Sequence, residues 1–207
     1  MSKIKYFIQQ SWLLIVSSFV FGLMIAAADS AWKPQIEKNR KEKISNLMKG
    51  LITDAASFEV VVPGVEIAAQ KGRVFKTDIY KAVSDNNQCA GFAFIASGSG
   101  FGGQIDLIIG VDNKCEKFVG YNILTCTETP GFGDKIKGTF FSDQFKGAPA
   151  VKLELSKVGN PRQMDDRIVA ISGATVTSTA VVNIFNAYID KVKEELQKKG
   201  LIGDGKQ

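Results

Sequence analysis

The spacing of apolar and polar positions changes character several times along the chain. From Tyr6 to Ala28 no residue is charged, and Trp12 to Ala28 is almost wholly apolar or small. At about 1.5 Å per residue, a helix over this stretch can cross a hydrocarbon core of about 30 Å. The alternative is a cleaved signal peptide, with Lys3 and Lys5 as its basic end and Ala26-Ala27-Ala28 as its cleavage signal. The uncharged stretch is long for such a peptide, which favours a retained anchor over residues 1–31. Pro34 is expected to separate the span from a second helix, in which Ile36, Ile44, Leu47, Met48, Leu51, Ile52 and Ala55 fall at helical spacing.

Beyond that point the period shortens. Phe58 to Val62 is a β-rich run that Pro63-Gly64 is expected to end. Strand-like segments follow at Val74–Val83, Gly91–Ala96, Ile105–Val111 and Phe118–Leu124, with a short one at Val151–Leu155. Turn residues separate them at Asp85-Asn86-Asn87, Gly98–Gly103 and Asp112-Asn113. Helical spacing returns in Val181, Ile184, Phe185, Tyr188, Ile189, Val192 and Leu196. Thr177 or Ser178 is positioned to cap that helix and Gly200 to end it. Clustered strands with helices at the chain ends predict an α+β fold: a largely antiparallel sheet flanked by helices, preceded by one N-terminal transmembrane helix.

Composition narrows the chemistry. With 45% hydrophobic and 23% charged residues the chain is globular, not disordered. It contains no histidine, which removes Ser-His-Asp and Cys-His nucleophiles, His-ligated zinc and imidazole acid–base catalysis. The net charge of +5 comes from mixed runs such as Lys38-Asn39-Arg40-Lys41-Glu42-Lys43, which read as solvated helix faces, so no nucleic-acid partner is expected. Cys89, Cys115 and Cys126 lack metal-site spacing. Lys3 and Lys5 precede the span while Lys33, Lys38, Arg40, Lys41 and Lys43 follow it, so basic residues alone do not orient it. A long folded C-terminal domain can translocate regardless of such charges. The N-terminus is therefore read as cytoplasmic and residues 32–207 as an extracytoplasmic domain.

Three segments could carry chemistry. Gly98-Ser99-Gly100-Phe101-Gly102-Gly103 satisfies GxGxxG, but the residues after it form no helix stripe, so a hinge between two strands fits better than a dinucleotide turn. Its glycines would still let backbone approach a flat ligand closely. Glu128-Thr129-Pro130-Gly131-Phe132-Gly133 contains a Pro-Gly turn whose aromatic residue either packs back on the domain or faces a ligand. Ser172-Gly173-Ala174-Thr175-Val176-Thr177-Ser178 gathers hydroxyls just before the last helix. It is either a helix cap or an anion site at the positive end of the helix dipole.

Taken in order, these segments resemble the FMN-binding domain family. Glu128-Thr129-Pro130-Gly131-Phe132-Gly133 resembles its ETPGLG signature. Ser172-Gly173-Ala174-Thr175 matches the end of its Asp-x-x-Ser-Gly-Ala-Thr pattern, in which the threonine receives FMN through a phosphoester. Val169 stands where that pattern has the acid, and Cys126 stands where the family often has a histidine. With the N-terminal span, the whole chain is similar to the G subunits of Rnf ion-translocating electron-transport complexes. The C subunits of sodium-translocating NADH:quinone reductase are the nearest alternative.

The resemblance implies that Thr175 carries covalent FMN, added outside the cytoplasm by a flavin transferase with FAD as donor. Ser172, Gly173, Ala174 and Thr177 would surround the phosphate, while Glu128, Thr129, Pro130, Gly131, Phe132 and Gly133, together with the Gly98–Gly103 turn, would line the flavin. It further implies a single-pass protein of the cytoplasmic membrane with its soluble domain on the periplasmic side. There it would be a redox subunit that passes electrons among other membrane subunits of a ferredoxin:NAD+ oxidoreductase and is not a complete enzyme alone. The competing readings are an anchored binding module without a redox role and a secreted flavoprotein released by signal cleavage.

Overall fold

The computed structural model describes residues 2–68 and 74–203. The chain divides into two units, residues 1–43 and 44–207.

The first unit is helical, and its helix α1 runs without interruption over Ser2–Leu51, ending inside the second unit. It includes a stretch long and apolar enough to cross a membrane, along which Leu14, Phe19 and Ile25 are exposed. Pro34 does not end the helix, contrary to what its ring chemistry suggests. An interior proline removes one backbone hydrogen bond and crowds the preceding turn, at about 3 kcal/mol. Here helical residues extend for several turns on either side, so the loss stays local.

The second unit is built on a five-stranded antiparallel meander in the order β1-β2-β3-β4-β5. Its strands are β1 (Ser57–Ala68), β2 (Val74–Val83), β3 (Cys89–Ser99), β4 (Gln104–Val111) and β5 (Phe118–Cys126). Period-two alternation sends Phe92, Phe94, Leu107 and Ile109 to one face and Ala93 and Ile108 to the other. Both faces are covered. The last turns of α1 bring Met48 onto one, and helix α3 (Thr175–Lys198) covers the other with Val181, Phe185, Tyr188 and Ile189. Double-sided burial explains why β3 and β4 read as nearly continuous apolar runs.

Two expected boundaries move. β1 continues through Pro63-Gly64 because it is an edge strand, where a residue without an N–H breaks no ladder bond toward a neighbour on its open side. Register shifts between Val60 and Val62 and between Val62 and Val65 absorb the pair. Gly64 has φ +65° and donates its N–H to Asp78 Oδ1 at 2.8 Å. The strand expected at Val151–Leu155 occupies Glu154–Ser156 instead (β6), where it pairs in parallel with β7 (Arg167–Val169).

Between β5 and β6 lie a 3-10 turn over Gly133–Lys137, the one-turn helix α2 (Thr139–Ser142) and a second 3-10 turn over Asp143–Phe145. Aromatic packing fixes this segment to the core. Phe185 meets Phe118 edge-on at 4.9 Å between ring centroids, and Phe145 at 4.5 Å. Tyr121 donates its hydroxyl to the Ile136 carbonyl at 2.6 Å. Burial raises the Tyr121 pKa well above its ordinary value, so this donor stays protonated.

α3 is closed at its far end as the sequence suggests. Gly200 has φ +65°, its N–H bonds to Gln197, and Leu201 N–H bonds to Leu196, the pairing of a Schellman cap. Its near end differs. Ala174 precedes the first helical residue and no side chain caps the turn. Thr177 points away to Glu128, while Ser178 donates to the Ala174 carbonyl and accepts from the Ile171 N–H.

Candidate functional site

Three turns of the second unit converge at the start of α3. The first is the β3–β4 hairpin over residues 100–103, closed by Gly100 N–H to the Gly103 carbonyl at 2.7 Å. It is a hinge between two strands, with Phe101 at its tip and 71% exposed. The second follows β5. There Phe132 and Gly133 N–H both reach the Thr129 carbonyl, and Gly131 at φ +78° follows Pro130, the residue pattern of a type II turn. The third leads into α3, with Gly173 at φ +79° and Ala174 N–H bonded to the Ile171 carbonyl.

A cavity of about 460 Å³ opens where they meet. The turn after β5 contributes Glu128, Thr129, Phe132 and Gly133 to its lining. The start of α3 contributes Gly173, Ala174, Thr175, Val176 and Thr177, and the hairpin contributes Phe101. Ser172, Pro130 and Gly131 are exposed and do not line it. Sequence reasoning sets the turn over residues 98–103 against the flavin without singling out Phe101, and it misses Val176 as a site residue. A signal for Phe101 exists, since a large aromatic among four glycines has little to pack against within its own turn.

The hydroxyls near the helix start differ in what they are free to do. Thr177 is buried and donates to Glu128 Oε2 at 2.6 Å, and buried Ser178 donates to the Ala174 carbonyl at 2.9 Å. Thr179 donates to the Thr175 carbonyl at 2.8 Å. Thr175, the first residue of α3, is half-buried on the cavity wall, and its hydroxyl has no partner among the described residues. The same turn presents unpaired backbone N–H groups and the positive end of a 24-residue helix.

Val169 is almost wholly buried in β7, and its backbone is held from both sides by one side chain. Gln144 Oε1 accepts the Val169 N–H at 2.7 Å and Gln144 Nε2 donates to the Val169 carbonyl at 3.2 Å. This clamp fixes the strand leading to Ser172-Gly173-Ala174-Thr175.

Residues 100–190 match the family described as FMN-binding domain. The chain carries an FMN-binding domain. Around that domain, the chain is 29% identical over 182 residues to the G subunit of the ion-translocating oxidoreductase complex of Methanosarcina acetivorans, covering 88% of this chain and 92% of the relative. It is 28% identical over 180 residues to the G subunit of the proton-translocating ferredoxin:NAD(+) oxidoreductase complex of Clostridium ljungdahlii, covering 86% and 88%. The crystal structure of Shewanella oneidensis NqrC shares the fold, with a TM-score of 0.53 at 21% identity over 70% of this chain and 73% of that one.

The residues present suit FMN. Phe101, Phe132 and Val176 are apolar and exposed at the cavity, as a flat ring system requires. The helix start offers N–H groups to a phosphate. Cβ atoms at Gly100 and Gly133 would collide with the Glu128 carboxylate, so backbone alone fits there and the cavity keeps its shape.

Proposed function

We propose that the chain is a single-pass, membrane-anchored electron-transfer subunit that carries FMN through a phosphoester on Thr175. It serves as the G-type subunit of an ion-translocating ferredoxin:NAD+ oxidoreductase. The observation that carries the attachment is the free Thr175 hydroxyl on the cavity wall, beside neighbours whose hydroxyls are already donated. The names of the relatives, each a G subunit matching nearly the full chain, support the assignment to such a complex.

Attachment requires a flavin transferase and FAD. The Thr175 Oγ–phosphorus bond forms as the phosphoanhydride of FAD breaks; AMP leaves and the hydroxyl proton is released. The chain's own contribution is placement. The first turn of α3 stabilises the remaining negative charge of the diester by about 0.3–1 kcal/mol, more where partly buried. Phe101 and Phe132 supply apolar surface for the ring. Once bound, FMN supplies the electron-carrying chemistry that no side chain here provides. In this reading residues 1–31 form the short cytoplasmic end and anchor, and residues 32–207 the extracytoplasmic domain.

Intact mass of the full chain extracted from its native membrane tests this. The expected increment equals FMN less one water, localises to the peptide containing Thr175, and disappears in Thr175→Ala. An unmodified wild-type chain from a host that flavinylates such proteins, or an increment that survives Thr175→Ala, overturns the proposal.

A further inference from the structure

The three turns that wall the cavity are separate in sequence, and one buried side chain of the second bonds both the first and the helix that follows the third. Glu128 sits at the head of the turn after β5. Its Oε1 accepts the N–H of Gly102 at 3.0 Å and of Gly103 at 3.4 Å, both on the hairpin that carries Phe101. Its Oε2 accepts the Thr177 hydroxyl on the first turn of α3. Gly100 and Gly133 close over the same carboxylate so tightly that neither admits a Cβ. The attachment proposed for Thr175 makes no use of this group.

Three of the four hairpin residues are glycines, which confine the backbone little, so the position of the hairpin must be imposed from outside. Hydrogen bonds to an ionised acceptor are roughly twice as strong as neutral ones. We infer that Glu128 is the positioning residue of the site: its carboxylate sets the hairpin against the start of α3, so that Phe101 and Phe132 hold a flavin tethered at Thr175 in one orientation. This rests on the function proposed above. A carboxylate only accepts, and it has lone pairs for all three donors. Glutamine at 128 would keep the geometry, accepting both glycine N–H groups and donating its amide to the Thr177 oxygen. Alanine would release the hairpin from the helix.

The test compares full-length, natively flavinylated chain in detergent with Glu128→Ala, Glu128→Gln, Thr177→Val and Thr177→Ser, by mass and by flavin fluorescence anisotropy well below the melting temperature. Each variant should retain the flavin increment. Anisotropy in Glu128→Ala should fall to less than half the wild-type value as the flavin turns on its tether, and Thr177→Val should fall partway. Glu128→Gln and Thr177→Ser should stay at wild type. In the flavin-free Thr175→Ala chain, adding Glu128→Ala should speed amide exchange at Gly102 and Gly103 at least tenfold.

Wild-type anisotropy in a flavinylated Glu128→Ala chain overturns the inference, as does unchanged exchange at those glycines. If Glu128→Ala shows no melting transition, Thr177→Val decides: a fall restored by Thr177→Ser supports the role, and wild-type anisotropy rejects it. A wild-type chain without the increment is a different result, which sinks the functional reading on which the inference rests.

Discussion

Thr177 Oγ1 donates a 2.6 Å hydrogen bond to Glu128 Oε2 across 49 residues of sequence. The bond joins the start of α3 to the turn after β5, and both residues are buried. It also separates two threonines of one helical turn, since Thr177 is committed inward while Thr175 remains on the cavity wall.

Crowding around that carboxylate makes Gly133 intolerant of the smallest side chain. A methyl group there meets the Glu128 carboxylate, and the Thr177 hydroxyl lies 2.9 Å away. Overpacking of this kind costs about 1–3 kcal/mol. Gly133→Ala should therefore lower the denaturant midpoint, while Gly50→Ala should not, because that helical position has only a 3.8 Å contact. Chemical denaturation of the two variants checks the contrast.

Gln144 should be equally sensitive despite lying outside the cavity. Gln144→Leu leaves the Val169 N–H and carbonyl buried without their partners, at about 1–3 kcal/mol for each group. The expected result is a lowered melting temperature and faster amide exchange at Val169. A melting temperature equal to wild type would show that the clamp contributes nothing.

Cys115 is buried and sits at φ +58°, and burial pushes its thiol up to about 12. At pH 8 almost none of it is thiolate, the reactive form. In the native chain iodoacetamide should label the half-buried Cys89 and Cys126 first, with Cys115 reacting only on unfolding or as pH approaches 12. Peptide mapping after timed alkylation reads this directly.

Glu194 lies on the exposed face of α3, where hydrogen bonds from Lys191 and then Lys198 hold its carboxyl down at about 2. Its folded-state value is depressed. Whatever it contributes to stability is therefore present above about pH 4.5 and lost as pH falls through about 2. An NMR titration should place its midpoint near 2 at low salt. High salt should move it back toward the ordinary carboxylate range, because exposed pairs are screened.

Most of the sheet is legible in the sequence because its strands are defined by local runs of apolar and β-branched residues bounded by Gly, Asn and Asp. The hairpin at Gly98–Gly103 is legible for the same reason: the residues after it lack a helical stripe. Pro34 and Pro63 mislead because their wider contexts are hidden. One lies in a helix long enough to absorb a missing bond, the other on a sheet edge where no bond was owed, and neither circumstance is visible locally. β7 is three residues long and forms only against β6 and Gln144, so tertiary contacts create it. Hydroxyl residues at the helix start suggest a Ser/Thr cap, but Thr177 has a better partner in buried Glu128. Spacing brings the two motifs to notice separately. Only the fold makes them one site.

The helix that enters the second unit also determines where the chain can be cut. Met48 and Ile52 belong to the apolar layer beneath Ala82, Ala93 and Ile108, whereas residues up to Lys43 belong to the other unit. A fragment beginning at Ile44 keeps that layer intact and should be recoverable in water without detergent. One beginning at Thr53 would bare the underside of the sheet and aggregate, so a cut after Ile52 would destroy what a nick after Lys43 merely sets loose.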